Sequence, residues 1–338
     1  MKLLILGGTG VISREIVKQA LELGHEVTIF NRGSKPCYVP EQVTVVHGDR
    51  NNTEDFKQKM AELDVDTVID MTCFDEKAAK QTVDVFGNKV KQIIITSSIA
   101  AYNRPYKSYP IHEDEEKLDT KGEFSYGFHK AEAERYLQSR MGKEAAAITI
   151  IRPSLTFGPG AANFGILRQN RNVVRRIREG KQVVMIGEGV IPWSFTFVRD
   201  LANGFLLSCG NERTYNECFH ITNTEIVMWE DLYKAVGQAV GKEPKFVYVP
   251  TILLREMLPD VCAHLNFEKV YFSVFSMDKF KKAAPEYEPR VKLADGVKEL
   301  VDWWDSVDFP YDEERDKMED EICRYYEEFR DKLKSLTS

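Results

Sequence analysis

The chain has 338 residues, enough for one large domain or two smaller ones with a full core. Apolar residues make up 43% and charged residues 29%, as in ordinary soluble globular proteins, and the net charge of -7 argues against a general nucleic-acid binder. Six cysteines, at 37, 73, 209, 218, 262 and 323, form no C-x-x-C pair and no zinc spacing. No metal is therefore expected, and scattered thiols suit a reducing, cytoplasmic setting. The opening MKLLILGG turns to glycine too early for a secretory signal, and no apolar run is long enough to span a bilayer, so no membrane partner is expected.

In chain order, KLLILGG predicts a first strand. SREIVKQALELG predicts a helix, with Ile16, Val17, Ala20 and Leu21 on one face and Gly24 closing it. HEVTIFNRG, VTVVHGD, VDTVIDMT, VKQIIITSS and AITIIRPS are further apolar, β-branched runs, with helices such as TEDFKQKMAEL and EKAAKQTVDVFG between them. Strands alternating with helices predict an α/β fold: a Rossmann-type, doubly wound parallel sheet covered on both faces. The rhythm breaks over 156–192, which holds a Gly/Pro loop, a basic helix and KQVVMIGEG. From Asp312 a charged helix carries Met318, Ile322, Tyr325, Phe329 and Leu333 every three or four positions, a stripe expected to pack on the protein body.

The stretch LGGTGVIS lies between the first strand and the first helix, the context in which a glycine loop holds a dinucleotide. Gly7 permits the tight turn, and Gly10 lets the backbone approach a pyrophosphate at the helix N-terminus. The third small residue is Ser13, which is expected to widen the helix–strand contact slightly without disabling the site. The second strand ends in Asn31 and Arg32, where an acidic residue would grip the ribose 2′-hydroxyl of NAD. A guanidinium suits a 2′-phosphate, so NADP is favoured and NAD stays possible. Asp49, closing the third strand, is a candidate for the adenine amine, or simply a turn former.

In YGFHK, Tyr126 and Lys130 stand four apart, so a helix presents both on one face. A nearby ammonium stabilises a phenolate and brings a phenol's pKa down from about 10. The phenol can then exchange a proton with a substrate oxygen while hydride moves to or from a nicotinamide. Ser98, just past a strand ending TSS, can donate to the same oxygen.

Taken in order, GGTGVIS, HGD, TSSIAAY, YGFHK, IRPSLTFGPG and FVRDLANGF resemble the extended short-chain dehydrogenases/reductases, in the nucleotide-sugar epimerase/dehydratase branch, over roughly residues 1–300. The resemblance implies a Rossmann domain over 1–155 that also receives about 193–225, and a smaller interleaved substrate domain, mainly 156–338, with the C-terminal helix. It implies Ser98, Tyr126 and Lys130 as catalytic residues. Cofactor contacts would come from Gly7, Thr9, Gly10, Val11, Ile12, Asn31, Arg32, Asp49, Arg50, Met71, Thr96 and Lys130, with Pro153 and Ser154 near the nicotinamide. Phe74, Tyr102, Phe157, Asn163 and Trp193 would line the substrate. A homodimer is a further implication.

The sequence also departs from that family. Dehydratases carry an acidic pair after the catalytic hydroxyl, and Ile99 and Ala100 stand there. Epimerases often place an arginine before the V-x-D-L-A segment to clamp a pyrophosphate, and Trp193 and Phe195 stand there; Phe157 replaces the tyrosine of YGPG. The substrate pocket is thus expected to be aromatic and poor in anion-binding groups. Three readings follow: an NAD(P)-dependent oxidoreductase on a secondary alcohol or ketone of a sugar-like or polyhydroxylated ring, a nucleotide-sugar epimerase recycling NAD, and a non-catalytic RNA-binding relative. The last draws on RQNRNVVRRIREGK, six basic residues within 168–181.

Overall fold

A computed structural model describes residues 1–33, 39–162, 164–168 and 170–336. The chain divides into two compact units, one of 1–156, 198–224 and 275–290, the other of 157–197, 225–274 and 291–338. The first unit thus takes back a second late segment, 275–290, that the sequence reading left with the substrate domain.

The first unit is built on β1 (Lys2–Leu6), β2 (Glu26–Asn31), β3 (Thr44–His47), β4 (Thr67–Asp70), β5 (Gln92–Thr96) and β6 (Ala147–Pro153). With the strand Glu217–Ile221 they form a seven-stranded sheet. Its order is β3-β2-β1-β4-β5-β6 and then Glu217–Ile221, and each pairing is parallel. All residues of β4, β5 and β6 are buried, the pattern of strands covered on both faces. Leu3 and Ile5 point to one core with Ile16, Val17 and Ala20 of α1 (Val11–Glu22) and Phe205. Leu4 and Leu6 point to the other, with Phe56 of α2 (Thr53–Ala61), Val83 and Phe86 of α3 (Glu76–Phe86) and Leu137 of α4 (Ser125–Arg140). The chain winds outward from β1 through β3, then restarts on β1's other side at β4. The two strands stay paired to their last residues, Leu6 with Asp70, but the connections that leave their carboxyl ends lead to opposite sides, and such a switch point is where sheets of this kind bind ligands.

The second unit contains a parallel pair, Gln182–Ile186 with Lys245–Val249, and the helices Asn172–Glu179, Trp229–Val240, Leu293–Ser306 and Glu313–Lys334. One expectation is met only in part here. The apolar stripe of the last helix packs inward only in part: Met318 and Ile322 are half-buried, Tyr325, Phe329 and Leu333 are exposed, and the fully buried positions are Asp316, Glu319 and Cys323. Buried charge replaces buried hydrocarbon because partners wait for it. Arg176 holds Asp316 at 3.0 Å and Glu319 at 3.4 Å, and Glu319 also takes the Val184 N–H at 2.8 Å. The basic run 168–181 is also not an open cationic face. Arg168 pairs with Glu268, Arg171 with Asp308, Arg175 with Glu313, Arg178 with Asp305, and Lys181 with Asp316 and Asp320.

Candidate active site

The loop after β1 has the backbone that its glycines allow. Gly7 sits at φ +86°, and a Cβ there would lie 2.5 Å from the Thr72 methyl. Gly8, which the sequence reading passed over, is equally constrained: its Cβ would lie 2.4 Å from Ile29 Cγ2. Gly10 caps α1, and a Cβ on it would meet only Ser13 Oγ, at 3.4 Å, so its backbone is open to an approaching group. Ser13 is buried and does more than occupy a glycine's place. Its Oγ accepts the Gly10 N–H at 2.8 Å and donates to the Gly7 carbonyl at 2.9 Å, tying the two turn residues together. The first-turn amides of Val11 and Ile12 are left outside the helical ladder, as at any helix N-terminus, and suit a phosphate.

This loop opens on a cleft of about 760 Å³, whose lining includes Gly7, Thr9, Gly10, Asn31, Arg32, Asp49, Arg50 and Phe74. The size and the glycine cradle fit a dinucleotide. Thr72, Asp75, Lys77 and Gln81 also line it and were missed. They come from a turn and one helix face, and carry no motif.

Three of the expected residues serve the walls. Asn31 Oδ1 accepts from the Gly33 N–H at 2.8 Å and from His47 Nδ1 at 3.0 Å, so it shapes the turn that carries exposed Arg32. Asp49 Oδ1 accepts the Asn51 N–H at 2.9 Å. Arg50 spends its guanidinium on the protein, reaching Asp70 and Thr72 with Nη1, Ala78 and Thr82 with Nη2, and Gln81 with Nε. It braces β4 against α3.

Ser98, Tyr126 and Lys130 are not among the cleft's lining residues. Phe74, which is, lies beneath Lys130 Nζ, 4.8 Å from its ring centroid. Lys130 is 2% exposed, and its Nζ donates to the Cys73 and Thr96 carbonyls, each at 2.7 Å. Those bonds take two of its three N–H groups and leave one for a ligand. Burial lowers its pKa. The same Nζ is 6.0 Å from the centroid of the Tyr126 ring, and Tyr126 is 42% exposed. The i, i+4 spacing thus brings the cation under the phenol. Ser98 caps the short turn Ile99–Ala101 and accepts the Ala100 N–H at 3.1 Å. Thr96 Oγ1 donates to Met71 Sδ at 3.0 Å, joining two of the expected cofactor residues across β4 and β5. Pro153 ends β6, and Ser154 follows it, buried.

The substrate assignments need correction. Tyr102 is 1% exposed, and its hydroxyl accepts from Arg152 at 2.7 Å and contacts His220 at 2.6 Å. It is a core group, not a wall of a pocket. Phe157 is buried against Phe197 in the second unit, 5.4 Å between ring centroids, and Trp193 is buried against Trp229, at 5.3 Å. Phe195 also packs on Trp229. These rings fill a core, whereas Phe74 and Tyr126, the aromatic rings beside Lys130 Nζ, are exposed. Asn163 lies outside the described residues. Among the described residues no group of His, Cys, Asp or Glu is fit to hold a metal ion, and no helix is long and apolar enough to cross a membrane.

Comparison with known proteins agrees with this geometry. The family model for the NAD dependent epimerase/dehydratase family matches residues 3–218. The chain is 23% identical to 2′-dehydrokanamycin reductase of Streptomyces kanamyceticus over 290 residues, covering 86% of this chain and 81% of that one. It is 27% identical over 261 residues to the chloroplast stem-loop binding protein of 41 kDa b of Arabidopsis thaliana, covering 73% of this chain and 65% of that one. The fold is similar to UDP-glucuronic acid 4-epimerase from Bacillus cereus, solved with UDP-glucuronic acid and NAD, at a TM-score of 0.70 and 16% identity, covering 91% of this chain and 100% of that one. With its parallel Rossmann sheet, its glycine cradle and its helical Tyr-x-x-x-Lys, the chain belongs to the NAD dependent epimerase/dehydratase family and is an enzyme of the extended short-chain dehydrogenase/reductase type.

Proposed function

We propose that the protein is an NADP(H)-preferring oxidoreductase that interconverts a secondary alcohol and a ketone on a sugar-like or polyhydroxylated ring. The observation that carries the reading is Lys130: a nearly buried ammonium, pinned by two carbonyls, under the half-exposed Tyr126 ring. A cation there favours the phenolate, and Tyr126 then takes the proton of a substrate hydroxyl or returns it to a carbonyl oxygen. Ser98 Oγ donates to that oxygen and holds it against the phenol. The glycine loop and the cleft would hold the dinucleotide, which when bound supplies the hydride carrier. Ile99 and Ala100 leave no acid–base pair beside Ser98, which argues against dehydration.

Preference for NADP rests on Arg32, exposed on the cleft wall where an acid would select NAD. Net reduction also agrees with the reductase named among the relatives. The experiment is isothermal calorimetry of NADPH and NADH with the native chain and Arg32→Ala, followed by turnover on cyclic keto sugars. The variant should lose NADPH affinity far more than NADH affinity. Equal losses would remove Arg32 from a 2′-phosphate site. Stoichiometric consumption of reduced cofactor marks a reductase; turnover without it marks an epimerase, the reading favoured by the epimerase fold neighbour.

An RNA-binding reading has one supporting observation, the stem-loop binding relative. The acidic partners of the 168–181 cations weigh against it, because phosphate would have to displace them.

A further inference from the structure

The segment that carries Ser98 is held from both sides by one buried ion pair. Glu134 is 0% exposed and lies one helical turn beyond Lys130 on α4. Arg152 on β6 forks onto it, with Nε at 2.9 Å from Oε2 and Nη2 on the same oxygen. Ser97, the residue before Ser98, donates its hydroxyl to Glu134 Oε1. The free arm of Arg152, Nη1, donates to the Tyr102 hydroxyl oxygen at 2.7 Å, and Tyr102 ends the turn that Ser98 begins. The chain of donors continues. The Ser276 carbonyl can only accept, so the His220 Nδ1 that faces it at 3.3 Å carries the ring proton. Burial lowers the His220 pKa, so Nε2 is bare and accepts the Tyr102 O–H at 2.6 Å. Every proton in the row is thereby assigned, and the Tyr102 ring cannot rotate without breaking two bonds.

We propose that Arg152, Glu134 and Tyr102 form a positioning clamp that holds the Ser98 hydroxyl in register with Tyr126 and Lys130. Glu134 belongs to the helix that presents the phenol and the ammonium, while Ser97 and Tyr102 flank the hydroxyl. Glu134 takes Ser97 on one flank, and Arg152 carries the link from Glu134 to Tyr102 on the other. A planar guanidinium suits that task because its fork fixes the direction of each arm, which a lysine does not. None of these side chains lines the dinucleotide cleft. Disturbing the clamp therefore misaligns the proton-transfer groups and leaves the cofactor site alone. The inference rests on the assignment of Ser98, Tyr126 and Lys130 as the proton-transfer site.

The test uses the full chain with reduced nicotinamide cofactor and a cyclic keto sugar that it turns over. Tyr102→Phe keeps the ring and deletes the hydroxyl; Ser97→Ala is the milder variant, in case Tyr102→Phe folds poorly. Turnover is expressed per dinucleotide-binding site, counted by calorimetry on the same preparation, so unfolded molecules do not count. Tyr102→Phe should lower kcat about 10²-fold, and Ser97→Ala about 10-fold, with KM and dinucleotide Kd within about twofold of native, as a small misplacement of reacting groups costs. A purely structural role would lower the melting temperature and the number of sites but leave kcat per site unchanged. Native kcat per site in both variants, or in Ser97→Ala where Tyr102→Phe yields no folded protein, overturns the clamp. Tyr126→Phe is the control: if it keeps native turnover, the proposed function itself fails, whatever the clamp variants do.

Discussion

A Cβ placed on Gly127 would stand 2.3 Å from the carbonyl oxygen of Ala100. Glycine at 127 therefore lets α4 lie directly on the turn that follows Ser98, one residue away from Tyr126. The approach of α4 to the backbone of that turn is thus set by the absence of a side chain. Gly127→Ala must push helix and turn apart. It should destabilise the protein by about 1–3 kcal/mol, as overpacking does. It should also cut kcat by about 10²-fold, because the reacting groups separate. Steady-state kinetics beside a calorimetric dinucleotide titration separates the two effects: Kd should stay near native.

Tyr126→Phe removes the exchangeable proton and keeps the ring over Lys130. Turnover should fall by about 10²–10⁴-fold with dinucleotide binding retained. Lys130→Met should damage both, since it removes the cation beneath the phenol and the N–H left for a ligand. Unchanged turnover in Tyr126→Phe on a confirmed substrate would remove Tyr126 from the proton-transfer role proposed here.

Gly10→Val should abolish dinucleotide binding, as a branched side chain would stand where the backbone is open. Ser13→Ala is the subtler test. Its hydroxyl joins the Gly10 N–H to the Gly7 carbonyl, so its loss should cost about 1 kcal/mol and weaken dinucleotide binding about fivefold. Calorimetric titration giving a native Kd for Ser13→Ala would show that the loop holds its shape without that bridge.

Lys269 in the second unit donates to the Gly165 carbonyl at 3.0 Å and lies 4.6 Å from the Trp229 ring centroid. Burial, helped by Arg168, lowers its pKa to about 7, from 10.5 in an exposed chain. Between those values the unfolded state holds a proton that the folded state has released, so stability from this group rises with pH across that window. Below about pH 7 both states are protonated and the penalty is complete. Lys269→Met removes the dependence. The stability difference between variant and native chain, from urea unfolding, should therefore move in the native chain's favour by up to about 1.4 kcal/mol per pH unit between pH 7 and pH 10. A difference flat across that range would mean that Lys269 is not titrating there.

The sheet and its helices were legible because parallel strands buried on both faces are continuous β-branched runs, and the helices between them show their own period. The glycine loop was legible because its conformation is a local demand, such as φ +86° at Gly7. The clamp was not. Glu134 and Arg152 are 18 residues apart, on a helix and a strand, and nothing in either segment announces the other. Tyr102, Phe157 and Trp193 were read as substrate contacts because family order assigns a position to a role, whereas burial depends on which neighbours close over the ring.

The C-terminal helix draws the line most clearly. By itself the sequence determined that a charged helix begins at about Asp312, because helical period depends on neighbours along the chain; in the structure it runs over Glu313–Lys334, with Asp312 capping the Arg315 amide. It also carried an apolar stripe that ought to face inward. Only the tertiary structure decided which face is buried. Arg176 and Lys181, more than a hundred residues earlier, meet Asp316, Glu319 and Asp320, and buried carboxylates are tolerable only where such partners exist. The same holds across the molecule: demands met within a few residues are written in the chain, and those met by a distant charge or ring arise only when folding brings the two together.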